Sequence, residues 1–215
     1  MRITVREEEF ELLPDRCLYW PSQELLVVAD VHLGKAETFQ QQGLWLPTGS
    51  SVKDLSTLSG VIAGRSVRQL IFLGDLVHSM AGVTREVLED FALWLRNFDG
   101  KVRVVVGNHD AGLAKRWPAA WERATLCGHV RLGEFVFQHQ PITDLESEGE
   151  FYWVGHVHPM IRLRKGPDCL RLPGFVISEL QGLLPAFSTL SGGYDVPLSS
   201  DDHVFVAGDG QVYKI

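Results

Sequence analysis

Five short apolar runs along the chain each end in Asp, Asn or His side chains. They are Leu25–His32, Leu70–Asp75, Val104–Asp110, Phe135–His139 and Phe151–His158. Runs of β-branched, leucine and aromatic residues that are bounded by glycine or charge are typical of buried strands. Because open α/β sheets bind their ligands just beyond the carboxyl ends of the strands, the polar residues that end these runs are expected along one rim.

The segments between the first three runs have the residue spacing of helices. Leu33–Gly43 is predicted to be a short helix, and Ser50–Gly64 has apolar residues spaced as on a helix that lies on a sheet. Arg85–Phe98 is a third predicted helix, with Thr84 as its N-cap. The first half of the chain therefore alternates strand and helix, which is typical of an α/β fold.

Short strand-like runs replace this alternation from about residue 125 onwards. The predicted strands are Thr125–Arg131, Glu134–His139, Phe151–Val154, Met160–Leu163, Cys169–Leu172 and Val176–Leu180. A Gly-Asp-Gly turn at 208–210 predicts a hairpin at the end of the chain. We therefore predict an α/β (α+β) fold, a four-layer αββα sandwich of two mixed β-sheets with helices outside both.

Length and composition set limits on the domain organisation. The chain has 215 residues and a hydrophobic content of 45%, which suit one domain, 1–215, or at most two small ones. No apolar stretch reaches the length of a membrane span, and the charged amino terminus lacks a signal-peptide pattern. Three widely spaced cysteines match neither a disulfide framework nor a C-x-x-C metal site, so we expect a cytoplasmic protein without membrane contact.

The formal net charge of −7 bears on the choice of partner. Tight, non-specific binding of duplex DNA usually requires a large basic surface, so this charge weakens any prediction of that kind. A nuclease is not excluded, because bound divalent cations add positive charge where the phosphate binds. Net charge alone leaves the partner open.

Seven of the polar residues at the strand ends have side chains that divalent metals favour. They are Asp30, His32, Asp75, Asn108, His139, His156 and His158. Asp30 and His32 are two residues apart, so they are expected to point the same way and to share an ion, and His156 and His158 repeat that spacing. Mixed nitrogen and oxygen ligation suits Mn²⁺, Fe²⁺ or Zn²⁺. The set predicts a two-metal hydrolytic centre, in which paired cations activate water and bind phosphoryl oxygens.

The same residues resemble the motifs of the calcineurin-like metallophosphoesterases. The family's series D-x-H, G-D, G-N-H-[D/E], a lone His and G-H-x-H occurs here in order, as Asp30–His32, Gly74–Asp75, Gly107–Asp110, His139 and Gly155–His158. The resemblance implies two divalent metal ions. One ion would take Asp30, His32, Asp75 and His158, and the other would take Asp75, Asn108, His139 and His156.

The resemblance also implies roles for the two residues that follow Asn108. His109 would be a general acid or a stabiliser of the transition state, and Asp110 would be the carboxylate that orients it. An imidazole beside a metal ligand can donate a proton to the leaving oxygen, which agrees with that role. The alternative is that His109 only forms a hydrogen bond within its turn.

A narrower resemblance covers nearly the whole chain. Leu18–Pro21, Ala29–Phe39, Phe72–Ser79, Gly155–Pro159 and Leu184–Gly193 look like segments of the bacterial ligase-associated DNA damage response endonucleases of the PdeM type. This resemblance implies one domain without a cap domain and a Mn²⁺-dependent phosphodiesterase that incises single-stranded DNA in DNA repair. The expected partners are an ATP-dependent DNA ligase, a helicase and another nuclease.

Further candidates for substrate binding lie near the predicted ligands. His78 is predicted to contact a phosphate oxygen or the leaving group, and the alternative is a hydrogen bond that supports a ligand or a solvated loop histidine. Lys35 and Arg162, the latter from the densest basic stretch, are candidates to bind phosphate together with Asn108 and His109. An exposed helix lysine and a solvated hairpin face explain Lys35 and Arg162 as well.

Two other features favour structural roles. Gly192 and Gly193 are expected to turn the chain rather than to approach a substrate. The tryptophans, including Trp45 and Trp153, are expected to be buried in the core, although exposed rings of this kind stack on bases in some proteins.

The metal ligands alone do not identify the substrate, because attack at phosphorus is common to several reactions. The alternative substrates are a cyclic nucleotide, a nucleotide-sugar lipid or a phosphomonoester. A more remote alternative is a non-catalytic protein-binding scaffold; such proteins typically lack some ligands, whereas all seven occur here. The sequence therefore predicts a metal-dependent phosphoester hydrolase, with DNA endonuclease as the leading activity.

Overall fold

Two β-sheets packed face to face form the centre of the computed structural model, which describes residues 1–142 and 149–215. Both sheets contain parallel and antiparallel strand pairs. The predicted α/β class with two mixed sheets is therefore confirmed.

The first sheet has seven strands whose spatial order follows the chain. They are β1 (Arg2–Val5), β2 (Glu8–Leu12), β3 (Cys17–Trp20), β4 (Leu25–Val28), β5 (Gln69–Leu73), β6 (Lys101–Val105) and β7 (Ala124–Cys127). Strands β1 to β4 pair antiparallel, whereas β4 to β7 pair parallel, so β4, β5 and β6 end at the same edge. Strands β1 to β3 were not predicted from the sequence, because each spans only four or five residues and three of the five residues of β2 are glutamates.

Helices pack on the outer face of the first sheet. They are α1 (Lys35–Gln41), α2 (Ser50–Ala63), α3 (Arg85–Asn97) and α4 (Ala111–Ala114). Buried residues of α2 and α3 share one hydrophobic core with β4, β5 and β6. The three predicted helices are confirmed, but the helical layer expected on the second sheet is not found in the described ranges. In those ranges, no helix is both long enough and apolar enough to cross a membrane.

The second sheet is built from the remaining strands. They are β8 (Val130–Leu132), β9 (Phe135–Gln138), β10 (Phe151–Val154), β11 (Pro159–Lys165), β12 (Asp168–Ile177), β13 (Gln181–Leu183), β14 (Tyr194–Asp195), β15 (His203–Gly208) and β16 (Gln211–Lys214). The spatial order is β14-β11-β12-β13-β10-β9-β8, with β15 beside β12 and β16 beside β15. Strands β9 and β10 pair parallel and end together, and the predicted terminal hairpin is confirmed as β15–β16.

One predicted strand is divided between the two sheets. The run Thr125–Arg131 breaks at Gly128, so that β7 pairs with β6 while β8 pairs with β9. The chain therefore crosses from the first sheet to the second at this glycine, which a single continuous strand would not allow.

Two predicted strands are instead one. Strand β12 runs from Asp168 to Ile177, so it includes all of Cys169–Leu172 and the start of Val176–Leu180, and it passes through Pro173–Gly174, a pair of residues typical of turns. A Cβ at position 174 would lie 2.4 Å from Cγ1 of Ile161 on the neighbouring strand. Gly174 therefore makes room within the sheet for the Ile161 side chain.

Aromatic side chains fill much of the space between the two sheets. Phe10 of β2 is fully buried, with its ring centroid 5.0 Å from Trp20 and 5.0 Å from Phe135. The ring of Trp153, on β10, is 5.1 Å from Phe10. A strand that sequence analysis did not identify thus supplies a central contact of the core.

Trp45 does not belong to this core, contrary to the prediction. Its side chain is 92% exposed, whereas Trp153 is fully buried. Trp45 lies in the connection between α1 and α2, outside any strand or helix, and so is not drawn into either layer.

We expect Phe10→Ala to lower the free energy of unfolding by about 3–5 kcal/mol, because it removes a buried ring and leaves a cavity between the sheets. Urea denaturation followed by circular dichroism would measure the change. The matched control is Leu93→Ala, since Leu93 on α3 is 52% exposed and should lose less than about 1 kcal/mol. Equal losses for the two variants would contradict the placement of β2 in the core.

Candidate metal centre

The parallel strands of both sheets end at one edge of the molecule, and the predicted ligands follow those ends. In the first sheet Asp30 and His32 follow β4, Asp75 follows β5 and Asn108 follows β6; in the second, His139 follows β9, and His156 and His158 follow β10. The structure brings all seven side chains together at this edge, in two adjacent groups.

Five of these residues have a left-handed backbone, which is uncommon for residues that carry a Cβ. They are Asp30 (φ 55°), His32 (φ 52°), Asp75 (φ 50°), His156 (φ 67°) and His158 (φ 50°). The strands end before these residues, so left-handed turns, rather than the pleat of a strand, aim the side chains. His156 and His158 enter different groups, although they have the same i, i+2 spacing as Asp30 and His32, which enter one group together. Backbone strain of this kind persists where the surrounding structure holds it, often at functional sites.

The first group consists of Asp30, His32 and His158, whose ligand atoms lie within 4.8 Å of one another. His158 Nε2 is 3.3 Å from Asp30 Oδ1 and 3.3 Å from His32 Nε2. The Nδ1–H of His158 donates a hydrogen bond to the Gly192 carbonyl at 3.0 Å, which leaves the Nε2 lone pair facing the group. From the second sheet, the backbone N–H of His156 donates to Asp30 Oδ2 at 3.0 Å and so fixes that carboxylate.

The second group consists of Asp75, His139 and His156, with Asn108 beside them. His139 Nε2 is 3.4 Å from Asp75 Oδ2, 3.2 Å from His156 Nδ1 and 3.0 Å from Asn108 Oδ1. The Nδ1–H of His139 donates to the Leu73 carbonyl at 3.0 Å, so its Nε2 lone pair also points inward.

Both groups place acceptor atoms against acceptor atoms, an arrangement that a cation between them would stabilise. Burial lowers the pKa of His139, but the hydrogen bond and charge of Asp75 outweigh burial and raise it overall. Asp30 raises the pKa of His158 in the same way, against the effect of burial. The two carboxylates thus favour positive charge at both positions, and the nitrogen and oxygen donors fit divalent transition metals.

His32 has the protonation state that a metal ligand needs. Burial and the nearby Lys35 ammonium lower the pKa of His32 to about 2, so that its imidazole is neutral at physiological pH. Its Nδ1 is buried and has no hydrogen-bond partner among the described residues. A buried polar atom of this kind is costly unless a ligand or ion compensates for it nearby.

Two motif glycines allow backbone to approach the ligands, a role that sequence analysis did not assign. Gly74 has φ +82°, and a Cβ there would lie 2.1 Å from His139 Nδ1. A Cβ at Gly107 would lie 2.2 Å from Asp75 Oδ1. These distances are far below van der Waals contact, so any larger residue would displace a ligand side chain.

His109 and His78 line the more open side of the centre together with His32. The Nδ1–H of His109 donates to the His78 carbonyl at 2.6 Å, and the two rings stack with centroids 5.2 Å apart. His109 Nε2 then lies 3.9 Å from Asp75 Oδ2, and the His109 side chain is 38% exposed. Burial, with the charge of Lys35, lowers the pKa of His78 to about 4, so its ring is neutral at physiological pH.

Asp110 does not orient the His109 ring, so that prediction is wrong: within 1–142 and 149–215 no hydrogen bond joins the two side chains. The Asp110 carboxylate instead accepts hydrogen bonds from the backbone N–H groups of Leu76 at 3.2 Å, Val77 at 3.0 Å and Gly107 at 2.9 Å. It is almost fully buried. Asp110 therefore ties together the loops after β5 and β6, which carry ligands of the second group.

The remaining candidates divide between the centre and the sheet beside it. Lys35 Nζ donates to Ser191 Oγ at 3.4 Å at the border of the first group, whereas Arg162 lies on β11 and pairs with Asp195.

Gly192 and Gly193 approach the centre instead of only turning the chain. The Gly192 carbonyl binds the imidazole of His158, as described above, and a Cβ at Gly193 would lie 2.2 Å from the carbonyl oxygen of that histidine.

A comparison with models of protein families matched residues 24–169 to the calcineurin-like phosphoesterases. The match covers more than half of the chain and includes all seven predicted ligands. The chain belongs to this family.

A search of solved structures found a nuclease that is similar to this phosphoesterase over its whole length. The crystal structure of Pseudomonas putida nuclease MPE has 33% sequence identity and a TM-score of 0.85, and the alignment covers 100% of this chain and 99% of that one. The E. coli phosphoesterase Yfce is 14% identical with a TM-score of 0.47, over 89% of this chain and 97% of that one. A comparison with curated proteins found no significant match. The first likeness agrees with the resemblance to the DNA damage response endonucleases.

In this calcineurin-like phosphoesterase, Gly107→Ala should reduce the bound metal, because its new methyl group would collide with the Asp75 carboxylate. We expect at least a several-fold loss of metal content, measured by elemental analysis of protein purified with added Mn²⁺. The control is Gly60→Ala on α2, where a Cβ meets nothing within 4 Å. Full metal content in Gly107→Ala would show that the close approach is not required.

Asp110→Asn should lower the free energy of unfolding by about 1–3 kcal/mol, because an amide NH₂ would face backbone donors that now have a buried acceptor. Chemical denaturation would measure this loss. Asp168→Asn is the matched control, since Asp168 is exposed at the start of β12 and should change little. If Asp110→Asn is as stable as the unmodified chain, the hydrogen bonds of Asp110 do not stabilise the loops after β5 and β6.

Proposed function

We propose that this chain is a two-metal phosphodiesterase that incises single-stranded DNA. The observation that carries the proposal is the convergence of two adjacent groups of acceptor atoms at the shared strand edge. Membership of the phosphoesterase family supports hydrolysis of a phosphoester, and the full-length likeness to a nuclease supports a nucleic acid substrate.

The two groups suggest how two ions would be held. We assign Asp30, His32, Asp75 and His158 to one ion, and Asp75, Asn108, His139 and His156 to the other, with Asp75 between them. His139 Nδ1 is 3.9 Å from Asp30 Oδ1, which supports placing the two sites next to each other. We take Mn²⁺ as the native metal, with Fe²⁺ and Zn²⁺ as alternatives that the same donors accept.

The residues around the ions would position the strand and move a proton. When bound, two such ions activate a water molecule and bind phosphoryl oxygens during in-line attack. His109 is proposed to donate a proton to the leaving oxygen, because its Nε2 faces the centre and its ring is open to solvent. His78 supports that ring through its carbonyl and by stacking, while Asn108 and Lys35 are proposed to contact the phosphate.

The narrower resemblance supports the rest of the proposal. We take residues 1–215 as a single domain without a cap, so that a polynucleotide can reach the centre from solvent. We place the protein in the cytoplasm and in DNA repair, alongside an ATP-dependent DNA ligase, a helicase and another nuclease. The three free cysteines agree with a reducing compartment.

Cleavage of single-stranded circular DNA should require Mn²⁺, stop after dialysis against a chelator and return when Mn²⁺ is added. Asp75→Asn and Asn108→Ala should each slow it by about 100-fold or more, equivalent to about 2.7 kcal/mol of transition-state stabilisation, because each removes an oxygen donor. Gel assays would measure cleavage, and circular dichroism would check that the variants remain folded.

The control variant for charge is Asp168→Asn, far along the hairpin from the ligands, which should cleave at the normal rate. Hydrolysis of bis-p-nitrophenyl phosphate should exceed that of p-nitrophenyl phosphate, because a phosphodiesterase acts on a doubly esterified phosphate and the second compound is a monoester. If Asp75→Asn and Asn108→Ala both cleave DNA at the normal rate, the assignment of these residues to a metal centre would be refuted. A preference for the monoester would refute the DNA substrate and favour a phosphomonoesterase.

A further inference from the structure

A cavity of about 310 Å³ adjoins the candidate metal centre on the side of the second sheet. Its wall includes His158, a member of the first ligand group, and the segment around Ser191 and Gly192. Arg16, which precedes β3, and Arg171 of β12 supply cationic side chains to the same wall. The cavity therefore joins an ion-binding histidine to two guanidinium groups. Arg171 belongs to the basic stretch from which Arg162 was taken as a candidate, whereas Arg16 was not predicted from the sequence.

The segment 188–193 that borders this cavity is held by three cationic side chains. Arg16 Nη1 donates to the carbonyl of Ser188 at 3.3 Å, and Arg171 Nη2 donates to the carbonyl of Gly193 at 3.1 Å. Lys35 Nζ donates to the hydroxyl of Ser191, which lies between Ser188 and Gly193 in the chain. This segment belongs to one of the motifs of the narrower resemblance, and the assigned ligands and acid do not account for it.

The charges around the cavity do not cancel. Arg162 and Arg171 are opposite each other on β11 and β12, and both bind the single carboxylate of Asp195. Two cations thus share one anion. Arg16 forms no ion pair within 4.0 Å among the residues that the structure describes. Burial lowers the pKa of Arg16 and the nearby charge of Asp54 opposes that shift, so Asp54 offsets part of this positive charge. A positive excess therefore lies beside the metal centre of a chain whose net charge is −7.

We propose that this cavity binds a backbone phosphate of the DNA strand next to the one that is cleaved. The inference rests on the proposed function and identifies a second phosphate subsite for its substrate. Guanidinium groups present paired N–H donors that match phosphate oxygens, and two of them line this cavity. His158 belongs both to the ion-binding group and to the cavity wall, so the subsite continues the path of a strand across the centre. Arg162 acts indirectly, because its ion pair holds Asp195 beside Arg171.

If the cavity binds a second phosphate, these arginines should raise kcat/KM more for a substrate with several phosphates than for a substrate with one. Arg171→Gln and Arg16→Gln should each lower the ratio of kcat/KM for single-stranded oligothymidylate to that for bis-p-nitrophenyl phosphate by about fivefold or more. Arg171→Lys should recover part of the ratio, since it keeps the charge but not the paired donors. The control is Arg68→Gln, an exposed arginine paired with Glu24 before β5, at the opposite end of the strands, which should keep the ratio within about twofold.

Binding of fluorescent oligothymidylate in the presence of a chelator separates the subsite from catalysis. Fluorescence anisotropy should show weaker binding by Arg171→Gln, and the slope of log K against log salt should shrink by about 0.7, because the variant neutralises one phosphate fewer. A wild-type chain that binds the oligonucleotide but never cleaves it with Mn²⁺ would refute the proposed function, while this binding comparison would still decide the subsite.

Two results would overturn the subsite. One is binding and a salt slope in Arg171→Gln and Arg16→Gln that equal those of Arg68→Gln. The other is an equal loss of activity on both substrates, which would mean that Arg171 acts only by holding Gly193, and with it the Gly192 carbonyl that binds His158. Circular dichroism of each variant would check the fold, and Arg171→Gln alone is sufficient if Arg16→Gln is unstable.

Discussion

The candidate site depends on acceptor atoms that face one another across a gap. In each group the Nδ1–H of a histidine donates a hydrogen bond to a main-chain carbonyl, that of Leu73 for His139 and that of Gly192 for His158. The unprotonated Nε2 of each ring then faces a carboxylate, Asp75 and Asp30 respectively. Such an arrangement repels itself unless positive charge lies within it. The raised pKa values of both histidines express the same need, because a proton is the smallest cation available.

The fold supports this arrangement by ending strands of two sheets at a common edge. Residues from different sheets then fix one another, as when the backbone N–H of His156 binds Asp30. Left-handed turns after the strands aim the side chains, and Gly107 lets the backbone come close to Asp75. The loops after the strands leave backbone N–H groups without a partner in a strand or helix, and the Asp110 carboxylate accepts hydrogen bonds from three of these groups. Strain at the ligands is therefore balanced by buried hydrogen bonds immediately behind them.

Much of this centre could be predicted from sequence, because buried parallel strands are continuous apolar runs that end in polar residues. Contacts made by the main chain could not be predicted in the same way. The carboxylate of Asp110 was expected to bind the neighbouring imidazole, yet it binds backbone N–H groups of a loop 33 and 34 residues away in the chain. Arg16 was overlooked for a similar reason, since only the folded chain brings it to Ser188, 172 residues later. The short strand β2 lacked a pattern long enough to detect, although its Phe10 lies in the core.

An acidic chain and a polyanionic substrate are compatible here because the charge is unevenly distributed. Two carboxylates, Asp30 and Asp75, are expected to face two divalent ions, which leaves a positive excess at the centre. Lys35 and Arg171 extend that excess, since they bind Ser191 and Gly193 on either side of Gly192, whose carbonyl binds His158. At physiological ionic strength, exposed charges more than about 8 Å apart are largely screened, so distant acidic residues repel a strand only weakly. The local arrangement of cations, rather than the net charge of −7, therefore determines where a phosphate backbone can bind.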